Sequence, residues 1–130
     1  MIGIDTCAVI DLFKGDKQII SLLSDISEKV CITYINYLEL IFGLDIENIK
    51  HKSEEEFYDH IMENYTVYNL DIESCKKARE LFFLLKKKGN TIDDMDYAIA
   101  GILLSNGVNK IITKNKKHFE NIPGVKVLSY

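Results

Sequence analysis

Three acidic residues and one asparagine interrupt otherwise apolar or structure-bounding stretches of the sequence: Asp5, Glu39, Asp96 and Asn115. Asp5 follows a short apolar run at the N terminus, and Asn115 follows another apolar run late in the chain. Carboxylates gathered in one crevice repel each other and are costly to bury alone, so a divalent cation stabilises such a group. Hard oxygen ligands favour Mg²⁺, with Mn²⁺ as an alternative. The residue types therefore predict a metal site.

Each of these residues also has a purely structural role open to it. Asp5 or Thr6 is suited to capping the helix that follows, because both residue types accept hydrogen bonds from free backbone N–H groups. Glu39 is suited to pairing with a lysine at the edge of its helix. The acids from Asp93 to Asp96 are suited to complementing the positive end of the helix dipole in a first turn, and for Asp93 and Asp94 we favour that role. Asn115 is equally a turn residue.

Strands and helices alternate along the predicted chain. Apolar, β-prone runs predict strands near the N terminus within residues 1–7, and at residues 30–33, 66–70, 110–113 and 125–128. Helical spacing of apolar residues predicts helices at residues 7–14, 17–26, 35–44, 53–64, 71–89 and 91–106. Ser53 with Glu56 has the capping-box spacing, Asp71 is a second cap, and Gly89 ends a helix.

This alternation predicts an α/β fold, with a mainly parallel sheet of four to five strands and helices on both faces. Asp5 and Asn115 would then lie just beyond the ends of neighbouring strands, where open α/β sheets bind ligands. Glu39 and Asp96 would overhang that edge from their helices.

Composition and charge limit the class of protein. A chain of 130 residues that is 47% apolar and 28% charged predicts one globular domain, residues 1–130. The three cysteines lack CxxC spacing, and no leader or bilayer-spanning apolar run is present, so we expect a cytoplasmic protein without a membrane partner. The net charge of −4 does not announce a nucleic-acid binder. The late part of the chain is nevertheless locally basic. The three histidines show no ligand spacing, and we assign them surface or packing roles.

Four short motifs in this order resemble the PIN domain, specifically the VapC-type toxins. The motifs are Ile-Asp-Thr at residues 4–6, Glu39-Leu40 followed by Gly43, Asp-Met-Asp-Tyr-Ala-Ile-Ala at residues 94–100, and Thr113-Lys114-Asn115 followed by Phe119 and Pro123-Gly124. The resemblance runs through essentially the whole chain. It implies a single-domain, metal-dependent ribonuclease that is usually a homodimer and is usually held inactive by a VapB-type antitoxin.

The resemblance also implies roles for individual positions. Asp5, Glu39 and Asp96 match the acidic metal-site residues of the family, and Asn115 stands where many members have a fourth acid and some an asparagine. Thr6 and Thr113 match hydroxyls that support the acids, and Asp94 matches an extra acid present in part of the family. Two positions depart from the pattern, since Cys7 often corresponds to asparagine and His118 to an acid. With Asn115 neutral, one well-bound ion is favoured over two.

The reaction expected from these residues is hydrolysis of an RNA phosphodiester, with Asp5, Glu39, Asp96 and Asn115 as the catalytic set. Lys114, Lys116 and Lys117 flank this set in sequence and are predicted to contact the RNA backbone. One alternative is an aspartyl-phosphate protein, either a receiver-like signalling domain or a phosphatase. The other is a PIN-like RNA-binding or interaction module that has lost its metal.

Overall fold

The computed structural model describes residues 1–130, in which five short strands alternate with helices. The strands are β1 (Ile2–Ile4), β2 (Val30–Thr33), β3 (Thr66–Tyr68), β4 (Lys110–Ile112) and β5 (Lys126–Leu128). The helices are α1 (Thr6–Phe13), α2 (Lys17–Asp25), α3 (Tyr34–Phe42), α4 (Lys52–Asn64), α5 (Ile72–Lys88), α6 (Asp94–Ser105) and α7 (Lys116–Phe119). A single 3-10 turn, Ile49–His51, precedes α4.

All five strands form one parallel sheet in the order β3-β2-β1-β4-β5, which confirms the predicted α/β class. The chain first builds outward from β1 through β2 to β3, and then returns to the other side of β1 with β4. Neighbouring strands whose connections leave in opposite directions open a crevice at their carboxyl ends. That crevice lies between β1 and β4, whose paired residues include Ile4 and Ile112.

Successive side chains of a strand point to opposite faces of the sheet, and both faces are covered by helices. On β2, Ile32 packs in a cluster with buried residues of α1, α2 and α4, whereas Cys31 packs in a cluster with residues of α5 and α6. The predicted three-layer arrangement is therefore confirmed. None of the helices combines the length and apolarity that crossing a bilayer demands.

Helices α5 and α6 pack very closely at Gly101. A Cβ atom at this position would lie 2.6 Å from the carbonyl oxygen of Ser74 and 2.9 Å from the Cβ atom of Ala78. Only glycine allows backbones to approach this closely. The contact holds α6, and with it Asp96, against the α5 layer.

Several predicted helix boundaries are corrected by the structure. The capping box assigned to Ser53 and Glu56 is absent, because the 3-10 turn runs directly into α4 and places Ser53 inside the helix. Helix α6 begins at Asp94, three residues later than predicted, and α7 was not predicted at all. The caps of α5 are as expected, with Asp71 accepting from the backbone N–H of Ser74 and Gly89 in the left-handed conformation.

Candidate active site

Asp5 lies at the carboxyl end of β1 with only 4% of its surface exposed. The Thr113 hydroxyl donates a hydrogen bond to Asp5 Oδ2 at 2.8 Å, and the same hydroxyl oxygen accepts from the backbone N–H of Asn115 at 3.0 Å. The proton of Thr113 is thereby directed towards Asp5. Although Asp5 precedes α1, its side chain makes no capping hydrogen bond, so the capping interpretation is wrong for Asp5.

Cys7 also contacts this carboxylate. Its Sγ atom donates to Asp5 Oδ2 at 3.4 Å and lies 3.4 Å from Thr113 Oγ1. Burial, followed by the charge of Asp5, raises the pKa of the Cys7 thiol. The thiol therefore stays protonated and serves as a weak donor to Asp5.

Glu39 is half-buried on α3 and faces α1. The Thr6 hydroxyl donates to Glu39 Oε1 at 2.6 Å. Burial raises the pKa of Glu39, the hydrogen bond from Thr6 opposes this, and the charge of Asp5 raises the pKa further. No lysine pairs with Glu39, so the alternative of a helix-edge ion pair is wrong.

Asp96 lies in the first turn of α6 and is only 5% exposed. Asp93, the residue immediately before α6, lines the same pocket as Asp96, because residues three apart share one face of a helix. Asp94 is exposed and lies outside that pocket. Asp93, to which the sequence assigned only a helix-dipole role, is thus the additional acid that lines the pocket, and the supporting role expected for Asp94 stays a prediction.

His118 projects from α7 towards Asp96. Its Nδ1 atom lies 3.0 Å from Asp96 Oδ2, a contact that becomes an ion pair only when the imidazole is protonated. His118 is thus partly exposed, as expected, and it also contacts an acid of the candidate site. In the sequence, His118 stood out only as a departure from the family pattern, because α7 has only four residues and no apolar periodicity that would predict the contact with Asp96.

These side chains line one pocket of about 210 Å³ at the carboxyl ends of β1 and β4. Its lining residues are Asp5, Thr6, Cys7, Ile10, Glu39, Asp93, Asp96, Asn115 and His118. The structure thus brings the four residues of the predicted catalytic set together, along with a fourth carboxylate. Burial raises the pKa of Asp96 to about 7; His118 opposes this rise, and the charges of Asp5, Glu39 and Asp93 add to it.

No three histidine, cysteine or acidic side chains are arranged here in the geometry of a metal-ligand shell. Three of the four acids are instead engaged by a donor of this chain: Asp5 by Thr113, Glu39 by Thr6 and Asp96 by His118. The chemistry of the donor set nevertheless fits Mg²⁺ or Mn²⁺, because the four carboxylates supply hard oxygen atoms. Burial is the main cause of the raised pKa of Asp96, and repulsion from the other acids of the pocket adds to it; a bound cation would relieve that repulsion.

The predicted RNA-contacting lysines lie beside this pocket. Lys114, Asn115, Lys116, Lys117 and His118 line a recess of about 340 Å³, which shares Asn115 and His118 with the acidic pocket. Lys114 is paired with Asp11 at 3.3 Å and lies over the ring of Tyr130. Lys116 and Lys117 have no acidic partner.

The fold has three layers, and the acidic pocket lies where the strand order reverses. These features define a class of small α/β domains with a candidate metal site. Residues 2–125 match the PIN domain family, and this chain belongs to that family. A curated relative, Ribonuclease VapC1 of Methanocaldococcus jannaschii, is 30% identical over 126 residues, which cover 95% of this chain and 84% of that protein.

Solved structures share the fold. VapBC-1 from nontypeable Haemophilus influenzae is 27% identical, with a TM-score of 0.79 over 99% of this chain and 98% of that chain. VapBC2 from Rickettsia felis, bound to a DNA fragment from their promoter, has a TM-score of 0.85 at 20% identity, covering 100% of this chain and 99% of that chain. At 20% identity, the likeness to VapBC2 supports the fold alone.

Proposed function

We propose that this chain is a divalent-cation-dependent endoribonuclease, that residues 1–130 act as one PIN domain, and that it is the toxin of a toxin–antitoxin pair. The observation that carries the proposal is the acidic pocket itself, in which four carboxylates line a space beside a lysine-lined recess. The name of the relative Ribonuclease VapC1 supports an RNA substrate.

In this proposal Asp5, Glu39 and Asp96 hold Mg²⁺ or Mn²⁺. When bound, the ion lowers the pKa of a coordinated water and stabilises charge that develops on the phosphate. Thr113 and Thr6 orient the carboxylates of Asp5 and Glu39, because each hydroxyl donates its only proton to one acid. No positively charged side chain is paired with Asp5 or Glu39, so both carboxylates favour a bound cation.

Asn115 and the lysines supply the substrate side of the site. Asn115 is exposed and borders both the acidic pocket and the lysine recess, so its amide is suited to bind a phosphate oxygen at the boundary. Lys116 and Lys117 contact neighbouring phosphates, which provides affinity without choice of sequence. Lys114 contributes less, because Asp11 already neutralises it.

The direct test is incubation of the purified chain with total cellular RNA, followed by sequencing of the new RNA ends. We expect defined cleavage sites with Mg²⁺ or Mn²⁺, none in excess EDTA, and none with Asp5→Asn. Undiminished cleavage in EDTA would refute the metal dependence. Binding of RNA without cleavage under every metal condition would favour the degenerate interaction module. A mass increase of one phosphate after acetyl phosphate treatment would favour the aspartyl-phosphate alternative.

We further propose a VapB-type antitoxin partner and a homodimeric toxin. The structural neighbours include VapBC complexes, and an acidic pocket is complementary to arginine, which pairs with carboxylates through two parallel hydrogen bonds. Co-expression with the product of the adjacent gene should yield a complex in which RNA cleavage is suppressed. A toxin that neither binds this product nor loses activity in its presence would contradict the toxin assignment and leave the nuclease assignment intact.

A further inference from the structure

Asn36 is a fully buried polar residue that the proposed reaction does not use. It lies on α3 and has no solvent-exposed surface, and it does not line the acidic pocket. Its amide connects the start of α3 with Thr6 on α1. Buried amides are usually fully hydrogen-bonded, so the directions of these bonds can be worked out atom by atom.

The orientation of the Asn36 amide is set by Thr33. Asn36 Oδ1 accepts from the Thr33 backbone N–H at 3.2 Å and from the Thr33 hydroxyl at 2.7 Å. A flipped amide would place its NH₂ group against the Thr33 N–H, which can only donate. Asn36 Nδ2 therefore faces Thr6 and donates to its Oγ1 atom at 3.1 Å.

This donation determines what the Thr6 hydroxyl can do. Its oxygen accepts from Asn36, so its single proton is free for Glu39 Oε1, at 2.6 Å. The second carboxylate oxygen, Oε2, has no hydrogen-bond partner within the chain, and Glu39 lines the acidic pocket. The bonds thus run in one direction, from Thr33 through Asn36 and Thr6 to Glu39.

We propose that Asn36 is a positioning residue that orients Glu39 for metal binding through Thr6. The inference rests on the proposed metal-dependent function, because it assigns Glu39 Oε2 to the cation. Partners that orient the ligands of a metal contribute strongly to its affinity, and their loss typically weakens binding about 10- to 100-fold. Asn36 would then affect metal affinity without touching the metal.

The decisive variant is Asn36→Asp, which keeps the size of the side chain and both bonds from Thr33. At alkaline pH, however, an aspartate cannot donate to Thr6 and instead accepts the Thr6 proton, which turns that proton away from Glu39. The added negative charge alone would tighten cation binding. Loss of the donor to Thr6 would weaken cation binding, whereas the added charge would strengthen it. The direction of the change in affinity therefore shows which effect dominates.

The measurement is calorimetric titration of the metal-stripped protein with Mn²⁺. We expect Asn36→Asp and Thr6→Val each to weaken Mn²⁺ binding about 10-fold, and the double variant to weaken it no further. Thr6→Ser, which keeps the hydroxyl, should bind as the wild type does. The control is Ser74→Ala, which removes the equivalent capping box of α5 away from the pocket and should lower thermal stability without changing Mn²⁺ affinity.

Unchanged or tighter Mn²⁺ binding by Asn36→Asp would overturn the inference, as would losses that multiply in the double variant. If Asn36→Asp fails to fold, the difference in Mn²⁺ affinity between Thr6→Val and Thr6→Ser shows whether the Thr6 hydroxyl affects metal binding. Equal affinities of these two variants would overturn the inference. A wild-type protein that binds no Mn²⁺ would refute the proposed metal site itself, a result distinct from failure of the Asn36 role.

Discussion

Three of the four acids of the pocket are contacted by donors without a permanent charge. Hydroxyl groups contact Asp5 and Glu39, and an imidazole contacts Asp96. A hydrogen bond to a charged group contributes about 1.5–3 kcal/mol, whereas burying an ion costs several kcal/mol. Desolvation therefore wins at Asp96, whose pKa rises to about 7. The pocket therefore has an excess of negative charge, which a bound cation can neutralise.

Asp96→Asn removes one charge from this pocket with little change in size. We expect RNA cleavage to fall by more than the roughly 10- to 100-fold associated with partners outside the ligand shell. Stability in EDTA should be unchanged or higher, because Asp96 repels Asp5, Glu39 and Asp93. The increase in melting temperature caused by Mg²⁺ should shrink, since a ligand stabilises only the state that binds it.

Asp94→Asn is the matched control, because Asp94 lies in the same helical turn but outside the pocket. It should retain cleavage and the Mg²⁺-dependent increase in melting temperature. If Asp96→Asn is less stable but still active and equally responsive to Mg²⁺, Asp96 is a helix-start residue and the site has been placed wrongly.

The raised pKa of Asp96 also predicts how stability depends on pH. An unfolded aspartate has a pKa of about 3.9, so between that value and about 7 the native protein binds more protons than the unfolded chain. Metal-free stability should therefore fall as pH rises through this window, by an amount on the order of 1–3 kcal/mol from Asp96. Urea unfolding in EDTA at about pH 5 and about pH 8 measures it. The fall should be smaller in Asp96→Asn, and equal falls in both proteins would exclude Asp96 as its source.

At the scale of helices and strands, the close contact between α5 and α6 leads to a prediction in which two effects compete. In a helix interior, Gly→Ala is favourable by about 1 kcal/mol from propensity alone. At Gly101 the new methyl group would meet the Ser74 carbonyl oxygen at 2.6 Å, and overpacking costs about 1–3 kcal/mol. Because the contact is with backbone, we expect Gly101→Ala to lower the free energy of unfolding. A urea midpoint at or above that of the wild type would show that the two helices separate easily.

Element boundaries were predictable where one residue imposes them. Asp71 and Gly89 bound α5 as expected, because a side-chain cap and a left-handed glycine act locally. Ser53 was misassigned, since a turn that begins at Ile49 determines where α4 starts. Short strands were predictable in number and position but each was overestimated in length by one or more residues, except β2.

The same distinction applies to the site. Asp5, Glu39, Asp96 and Asn115 could be singled out because each interrupts an apolar or structure-bounding pattern. Between Asp93 and Asp94, the spacing from Asp96 already favours Asp93, because residues three apart share one face of a helix, and the sequence-based prediction missed this signal. Asn36 was visible only as a polar interruption of α3, and its bond to Thr6 requires the tertiary structure.

At the scale of the whole molecule, charge is distributed unevenly despite a net charge of −4. Lys116 and Lys117 stand unpaired in the recess that adjoins the acidic pocket. The acidic pocket, which attracts a cation, and the lysine recess, which attracts phosphates, therefore meet at Asn115 and His118. A nucleic-acid backbone can be bound locally even though the protein as a whole is acidic.

Removing these lysines should therefore change the salt dependence of RNA binding. For single strands, each phosphate contact contributes roughly 0.7 to the slope of log affinity against log salt concentration. We expect Lys116→Ala with Lys117→Ala to lower that slope by about 1.4 and to raise KM more than it lowers kcat. Lys87→Ala with Lys88→Ala, at the end of α5, is the control and should leave the slope unchanged. Equal slopes in the two double variants would remove the recess from the RNA path.

The central claim is that one divalent cation binds where the strand order reverses. The most direct measurement is an anomalous-difference map from crystals of the chain soaked in MnCl₂. We predict one strong peak in the acidic pocket, within about 2.0–2.6 Å of carboxylate oxygens of Asp5 and Asp96, with Glu39 bound directly or through water. A protein that cleaves RNA in Mn²⁺ but shows its only peak elsewhere would contradict the account.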